Sequence, residues 1–369
     1  METLDSFYME RAVALAGRGI GHVNPNPLVG AVIVKDGQVI GEGWHERFGG
    51  LHAERNALAD CKADSCGATM YVTLEPCCHY GKTPPCTEAI VGSGISRVVV
   101  GMEDPNPLVA GKGMQLLRDA GIEVVCGVCG DKVRFQNRIF MKYITSRRPW
   151  VVLKTAMTLD GKIAAVTGDS KWVTGEKARR MVHEMRSGLM AVMVGKGTVL
   201  SDDPMLDCRL GDPSVRQPVR VVVDSRAEIP LESRLVRTAC EVPLVLAHAS
   251  GASAEKLDAL RAAGVSTVQC GGADGRVDAG MLLDWLGADG IDSVMLEGGG
   301  ELAWSFVRDR LVDEVYAFIS PKIVGGAGAK TPVGGDGFGM MGDAMPLLDV
   351  RVERIGEDIL VTGRMQRNG

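Results

Sequence analysis

His52-Ala53-Glu54 opens the decisive stretch. Met70-Tyr71-Val72-Thr73-Leu74-Glu75-Pro76-Cys77, then Cys78-His79-Tyr80-Gly81-Lys82-Thr83-Pro84-Pro85-Cys86, completes it. One His and two Cys suffice to hold a zinc ion through three protein ligands, and a catalytic zinc takes three because its fourth position stays open for water. Zinc lowers the pKa of that water to about 7, so hydroxide is available at neutral pH and needs only a proton carrier. Glu54 lies two residues from the His and is not needed as a ligand. A lone His is more often structural, and a lone Cys more often a small buried hydrophobe. The conjunction of the triplet, the strand and the two Cys carries the reading: His52, Cys77 and Cys86 as ligands, Glu54 as acid and base. Cys78 and His79, inside the loop, are rival ligands.

The order H-x-E, then P-C, then a second Cys is similar to that of the zinc-dependent nucleobase deaminases. The widespread form is P-C-x-x-C, whereas eight residues separate Cys77 from Cys86 here. Around this stretch, strand and helix patterns alternate. A helical spacing of apolar residues runs from Ser6 to Arg18, and Leu28–Lys35 and Gln38–Gly43 form a hairpin around Asp36-Gly37. His52–Cys61 reads as a helix, Ala68–Leu74 as a strand and Thr87–Val91 as a short helix. Arg97–Met102, Gly113–Ala120 and Glu123–Cys126 read as strand, helix and strand. Both thiols are expected at helix N-termini, where the dipole lowers thiol pKa. Asn24-Pro25-Asn26-Pro27 and Asp104-Pro105-Asn106-Pro107 are rigid turns able to aim side-chain amides at a base edge. The pattern predicts a three-layer α/β domain ending near residue 145.

The 369 residues are too many for one ordinary core, so two domains are expected. After a short linker at Arg147-Arg148-Pro149 a second α/β pattern begins. Its strands are Trp150–Lys154, Ala191–Gly195, Val219–Val223, Leu244–Ala247, Thr267–Cys270 and Ser293–Leu296, and its helices lie at Glu176–Ser187, Ala254–Ala263, Ala279–Leu286 and Glu301–Asp309. The remainder to Arg364 reads mostly as strand, which implies a mixed sheet. Gly298-Gly299-Gly300, between strand and helix, is a candidate pyrophosphate cradle. Asp224-Ser225-Arg226 follows a buried strand, where a Ser and an Arg favour a 2′-phosphate and so NADP over NAD. Arg186 and Arg209 flank the Asp202-Asp203-Pro204 loop and suit bidentate phosphate binding.

Charge and composition narrow the field. The net charge is −5, against the basic face of a general nucleic-acid binder. No run of apolar residues is long enough to span a bilayer, and the acidic start Met1-Glu2-Thr3-Leu4-Asp5 lacks a signal-peptide core. Ten Cys in a large chain without an export signal fit reduced thiols in the cytoplasm.

Taken together, the chain resembles the bifunctional deaminase/reductase family of riboflavin biosynthesis over essentially its full length. The marks are Asn24-Pro25-Asn26-Pro27-Leu28-Val29-Gly30, His52-Ala53-Glu54, Glu75-Pro76-Cys77 and Gly81-Lys82-Thr83-Pro84-Pro85-Cys86. In the second half they are Thr158-Leu159-Asp160-Gly161-Lys162, Asp202-Asp203-Pro204, Leu206, Arg209 and Glu297-Gly298-Gly299. The long Cys-to-Cys spacing is the form this family uses; Cys78 stands where the family commonly has Ser. The resemblance implies a cytidine-deaminase-like domain at 1–146 and a dihydrofolate-reductase-like domain at 147–369. It implies one zinc and NADPH, and a pyrimidine ribosyl phosphate that is deaminated and then reduced in its ribose. By position it implies NADP contacts from Ala156, Trp172, Thr198, Asp202, Ser225, Gly298, Gly299 and Gly300. Substrate contacts would come from Ser170, Arg186, Leu206, Arg209 and Glu297, with Asp202 as the acid. Lys82 and His45 are candidates for the substrate phosphate of the deaminase half. A homo-oligomer is expected, with no nucleic-acid or membrane partner. Two rival readings are a nucleic-acid-editing deaminase fused to a nucleotide-binding domain, and a structural zinc module closed by Cys78 or His79.

Overall fold

The structure, a computed structural model, describes residues 4–80, 84–106, 110–212, 215–272 and 274–366. The chain divides into two compact units, Met1–Arg147 and Arg148–Gly369.

The first unit is built on a five-stranded sheet. Its strands are β1 (Gly30–Lys35), β2 (Gln38–Trp44), β3 (Thr69–Leu74), β4 (Arg97–Met102) and β5 (Glu123–Cys126), in the order β2-β1-β3-β4-β5. The Asp36-Gly37 hairpin makes β1 and β2 antiparallel; β3, β4 and β5 are parallel. Alternation along the strands divides the core. Ala31, Ile33, Met70, Val72, Val98 and Val100 face α2 (Ala53–Ala59), α3 (Cys86–Gly92) and α4 (Lys112–Asp119). Val32, Val34, Tyr71 and Val99 face α1 (Leu4–Ala16) through Tyr8, Met9, Ala12 and Leu15. The expected three layers are therefore present. Gly43 brings the site helix close to the sheet: a Cβ there would lie 2.3 Å from the Ala57 backbone nitrogen.

The stretch after β5, left without elements in the sequence reading, holds two helices, α5 (Gly130–Gln136) and α6 (Arg138–Ser146). They meet at buried Asn137, whose Oδ1 accepts from Leu28 N–H at 2.8 Å while its Nδ2 donates to the Leu28 carbonyl at 3.0 Å. A partner 109 residues away fixes this break, and no local pattern announces it.

The second unit has a nine-stranded sheet in the order β10-β9-β8-β7-β11-β6-β12-β14-β13. The strands are β6 (Trp150–Thr158), β7 (Ala191–Gly195), β8 (Val219–Val223), β9 (Leu244–His248), β10 (Ser266–Gln269), β11 (Ser293–Glu297), β12 (Glu314–Ser320), β13 (Leu347–Ile355) and β14 (Asp358–Met365). Seven are parallel, and β14 and β13 close one edge antiparallel, giving the expected mixed sheet. Period two again sorts the core. Ala191, Met193, Val294 and Leu296 pack with Leu282, Leu283 and Leu286 of α11 (Ala279–Ala288) and with Phe306 of α12 (Gly300–Arg308). Val192, Val194 and Met295 pack with Ala178 and Val182 of α7 (Glu176–Gly188), Leu235 of α9 (Arg234–Arg237) and Leu257 and Leu260 of α10 (Ala254–Ala262). A short helix α8 (Lys196–Asp202) follows β7 directly.

Two expectations change here. β6 runs to Thr158 rather than Lys154, because its C-terminal half pairs with β12 through Ala156↔Phe318 and Thr158↔Ser320. The segment 321–346 is not strand: it is glycine-rich, and Asp160 ties it down by accepting from Val324 N–H at 3.2 Å and Gly325 N–H at 2.7 Å.

Candidate active sites

The first site gathers around the N-terminus of α3. His52, the N-cap of α2, and Cys77, just after β3, meet Cys86, the first residue of α3. His52 Nδ1 lies 3.4 Å from Cys77 Sγ and 3.4 Å from Cys86 Sγ, and the three donor atoms all fall within 4.8 Å of one another. Bond lengths of about 2.3 Å to sulfur and 2.05 Å to nitrogen at tetrahedral angles put S and N about 3.6 Å apart. Two thiols and one imidazole at this spacing thus fit a zinc ion. Among the described residues no other trio of metal-type donors gathers. Cys78 is only half-buried, His79 is exposed, and neither joins the trio.

Cys77 itself does not open a helix, contrary to expectation. Its thiol nevertheless reaches one, accepting from the Cys86 backbone N–H at 3.3 Å, so both sulfurs share the positive end of α3. Cys77 is held down to about 4 by the Cys86 thiol, against burial, with further help from His52 and the Cys86 N–H. Cys86 is pushed up by the Cys77 sulfur and by burial. Glu54, on the first turn of α2, is only 3% exposed, and burial and then the Cys77 charge push its carboxyl up.

Glu75 was read as part of a motif, but its task is visible only in three dimensions. Its buried carboxylate accepts four backbone N–H groups: Asp104 at 3.2 Å, Gly111 at 2.9 Å, Gly113 at 2.9 Å and Met114 at 3.2 Å. It ties the loop carrying Cys77 to the start of α4. His45 is turned inward rather than offered to an anion. Its Nδ1 meets the Leu51 carbonyl at 2.9 Å and its Nε2 meets Asn26 Nδ2 at 3.1 Å; burial lowers its pKa. A carbonyl only accepts and an amide nitrogen only donates, so His45 is the neutral Nδ1–H tautomer, and the Asn26 amide is aimed through it. Lys82 lies outside the described residues.

The second site is a cleft of about 1520 Å³ in the second unit. It opens at the carboxyl ends of β6, β7, β8 and β11, where open α/β sheets place their ligands. The sequence-derived set is brought together there: Ala156, Ser170, Trp172, Arg186, Thr198, Asp202, Leu206, Arg209, Ser225, Glu297, Gly298, Gly299 and Gly300 all line it. Gly298 and Gly299 have φ of 96° and 88°, and a Cβ at Gly298 would stand 3.1 Å from Thr198 Oγ1. The turn before α12 is thereby pressed against α8. Ser225 and exposed Arg226 line the wall beside buried Asp224, whose carboxylate accepts from the N–H groups of Arg226, Glu228 and Ile229.

Arg186 and Arg209 are not equivalent. Arg186 is buried, donating to Glu297 Oε2 at 3.1 and 2.8 Å and to the Asp207 carbonyl at 2.9 Å. Lys154, which pairs in register with Glu297, adds a bond at 3.1 Å. Burial alone would raise Glu297, but the two cations hold it at about 2. Arg209 is exposed at the rim and ion-paired with Asp207 at 3.1 Å. Sequence reasoning missed Lys154 and His183 in this cleft. Lys154 sits at a half-buried position in an apolar strand, a signal that could have marked it.

A zinc-deaminase-type domain followed by an α/β reductase-type domain is the class that this fold and these two sites define. Residues 2–102 match the model for the cytidine and deoxycytidylate deaminase zinc-binding region, and residues 149–361 match that for the RibD C-terminal domain. The chain is 50% identical over 357 residues to the riboflavin biosynthesis protein RibD of Actinobacillus pleuropneumoniae, covering 97% of this chain and 94% of that protein. It is 43% identical over 359 residues to that of Bacillus amyloliquefaciens, covering 97% and 96%. Among solved structures it is similar to Acinetobacter baumannii RibD, with a TM-score of 0.86, 37% identity and coverage of 98% and 99%. It is also similar to the diaminohydroxyphosphoribosylaminopyrimidine deaminase/5-amino-6-(5-phosphoribosylamino)uracil reductase of Thermotoga maritima, with a TM-score of 0.84, 40% identity and the same coverage. The chain belongs to the RibD family, the bifunctional deaminase/reductases of riboflavin biosynthesis. Among the described residues no helix is long and apolar enough to cross a membrane.

Proposed function

We propose that residues 1–146 hydrolytically deaminate 2,5-diamino-6-(5-phosphoribosylamino)pyrimidin-4-one and that residues 147–369 reduce the ribose of the product to ribityl with NADPH. The observation that carries the first half is the trio His52, Cys77 and Cys86 at tetrahedral spacing, with buried Glu54 beside it. These three residues hold one zinc per chain, which supplies a Lewis acid and an acidified water. Glu54 takes the proton of the attacking water, then returns protons to the ring nitrogen and the departing ammonia. The Cys77 thiol, held down by Cys86, His52 and the Cys86 N–H at the start of α3, is poised as a thiolate, which favours a metal over a free dithiol.

In the second half, NADPH supplies the hydride. Ala156, Trp172, Thr198, Asp202, Ser225 and the Gly298–Gly300 turn hold it, with the turn giving close backbone approach to a pyrophosphate. Arg226 at the wall suits a 2′-phosphate. Ser170, Leu206, Arg209 and Glu297 hold the substrate, and Arg186 acts first by holding Glu297. Ionised Glu297 accepts from the ribose hydroxyls, while the cleft aligns the two reacting carbons and excludes water. A homo-oligomer is supported by edge strand β13, which exposes Leu348, Val350 and Val352.

The test is incubation of the protein with the diaminopyrimidine phosphate, with and without NADPH, followed by mass spectrometry. Amine-to-carbonyl exchange adds about 1 dalton and reduction about 2 more. No mass change without NADPH overturns the deaminase reading, and no second change with it overturns the reductase reading.

A further inference from the structure

His183 lies on α7 one turn before Arg186 and lines the same cleft. Its Nδ1 receives the backbone N–H of Arg209 at 3.2 Å, while its own carbonyl receives the Cys208 thiol at 3.1 Å. Arg186 adds a third bond from the same helix, to the Asp207 carbonyl at 2.9 Å. Three consecutive residues, Asp207, Cys208 and Arg209, are thus pinned to one face of α7. The segment is held also by Gln217, which accepts from the Cys208 N–H at 2.8 Å and donates to its carbonyl at 3.0 Å. It has no strand or helix of its own, and Arg209, its last residue, is exposed at the rim.

A backbone N–H only donates, so His183 Nδ1 is an acceptor and its proton sits on Nε2. Protonation would turn Nδ1 into a donor facing another donor and break the contact. The charged groups facing the ring are Arg186 from its own helix and Arg209 and Asp207 from the segment, with the Asp207 carbonyl and Cys208 beside them. Burial, then Arg186 and Arg209, lower the His183 pKa, outweighing Asp207. The ring is therefore neutral near pH 7.

We propose that His183 is a positioning residue of the reductase, clasping the 207–209 segment to α7 so that Arg209 is held for the anionic end of the substrate. The inference rests on the reading of this cleft as the reductase site. It assigns His183 to substrate affinity and not to the hydride step, because the clasp acts through Arg209. It also gives the site a sensitivity to acid: affinity falls as the pH drops through the lowered pKa of the ring.

The test is steady-state NADPH oxidation by the full-length enzyme, with already deaminated substrate, for wild type, His183→Ala and His183→Asn. The Asn amide oxygen can stand near the Nδ1 position and does not protonate. His183→Ala is expected to raise KM for the pyrimidine substrate about three- to tenfold, as loss of one net hydrogen bond carries. Its kcat should stay within about twofold and its KM for NADPH should be unchanged. His183→Asn should restore KM near neutrality and remove the rise in KM expected of wild type as the pH falls through the lowered pKa of His183. An unchanged KM in His183→Ala, a fall in kcat alone, or a His183→Asn variant that keeps the wild-type pH dependence overturns the inference. Wild-type protein that oxidises no NADPH overturns the assignment of the cleft itself, and that result is distinct from all three.

Discussion

Replacing Arg186 with Met tests whether this side chain braces Glu297 or serves the substrate directly. Met keeps much of the length and apolar bulk but removes two bonds to Glu297 and one to the Asp207 carbonyl. Burial pushes Glu297 up, yet Lys154 and Arg186 bring it from an ordinary 4.5 to about 2. That shift corresponds to about 3.4 kcal/mol at 1.36 kcal/mol per unit. Because the folded-state pKa is depressed, this contribution is complete above pH 4.5 and is lost as pH falls toward 2. Lys154 and Arg186 share this shift, so about half of it, about 2 kcal/mol, falls to Arg186. The Asp207 bond adds about 1 kcal/mol. The sum, about 3 kcal/mol, lies at the low end for breaking a buried ion pair, as expected when Lys154 remains as a second partner. Urea unfolding followed by tryptophan fluorescence reads it out, since Trp150, Trp172, Trp285 and Trp304 of the five tryptophans lie in the second unit. At pH 7 the variant should lose about 3 kcal/mol relative to wild type, and the gap should narrow below pH 4.5. Full stability at pH 7 together with a large rise in substrate KM would refute the brace and make Arg186 a ligand that Glu297 does not need.

Four further outcomes are expected. Cys77→Ser and Cys86→Ser should lose bound zinc by elemental analysis while Cys78→Ser keeps it; full zinc in Cys86→Ser would hand its place to Cys78 or His79. Glu54→Gln should retain zinc and NADPH oxidation but lower deamination by at least about 10⁴, the top of the range for one acid–base group, because Glu54 acts more than once per turnover. Glu75→Gln exchanges one carboxylate oxygen for an NH₂ that faces two backbone N–H groups. Calorimetry should find the first unit destabilised by about 3 to 6 kcal/mol, two charge-assisted bonds at about 1.5 to 3 kcal/mol each. Asp202→Asn should lower the reductase kcat with little change in substrate KM, and equal kcat would remove Asp202 as the acid.

The trio His52, Cys77 and Cys86 was legible because metal chemistry restricts both residue type and geometry, and few other uses demand that combination. The strands were legible for a different reason. Runs such as Ala31-Val32-Ile33-Val34 and Val98-Val99-Val100 are apolar on both faces, which only a covered sheet tolerates. What stayed hidden was the partner of each buried polar group. Glu75 draws its four donors from residues 29 to 39 positions downstream, and Arg186 meets a carboxylate 111 positions away. Asn137 ends one helix and begins another through a residue 109 positions back. Periodicity reports which face of an element is buried, but not which polar group waits there. The unequal roles of Arg186 and Arg209 follow from this: in sequence they are two cations flanking a loop, but in the fold Arg186 meets a carboxylate 111 positions away while Arg209 pairs with Asp207, two positions away.

The two units bury carboxyl groups to opposite effect, and the neighbours decide which. Burial and then the Cys77 charge push the Glu54 carboxyl the same way, toward the protonated form, outweighing His52, the backbone and the Cys86 thiol, which oppose them. Glu297, its side chain 14% exposed, instead faces Lys154 and Arg186, which reverse the effect of burial and keep it ionised. A carboxylate fixed at about 2 can accept hydrogen bonds from ribose hydroxyls but has no proton to give near neutrality. Reduction of an open-chain ribose carbon leaves charge on the heteroatom attached to it, and that atom must gain a proton. Glu297 is therefore not that donor. Asp202, exposed at the end of α8, lines the same space, and the Asp202→Asn variant tests whether it serves there. Lys154, by contrast, is tied to Glu297 at 3.1 Å, and giving up its proton would strip the carboxylate of one of its two cations. The electrostatics that keep Glu297 ionised thus make it a hydrogen-bond acceptor and not a proton donor in this cleft.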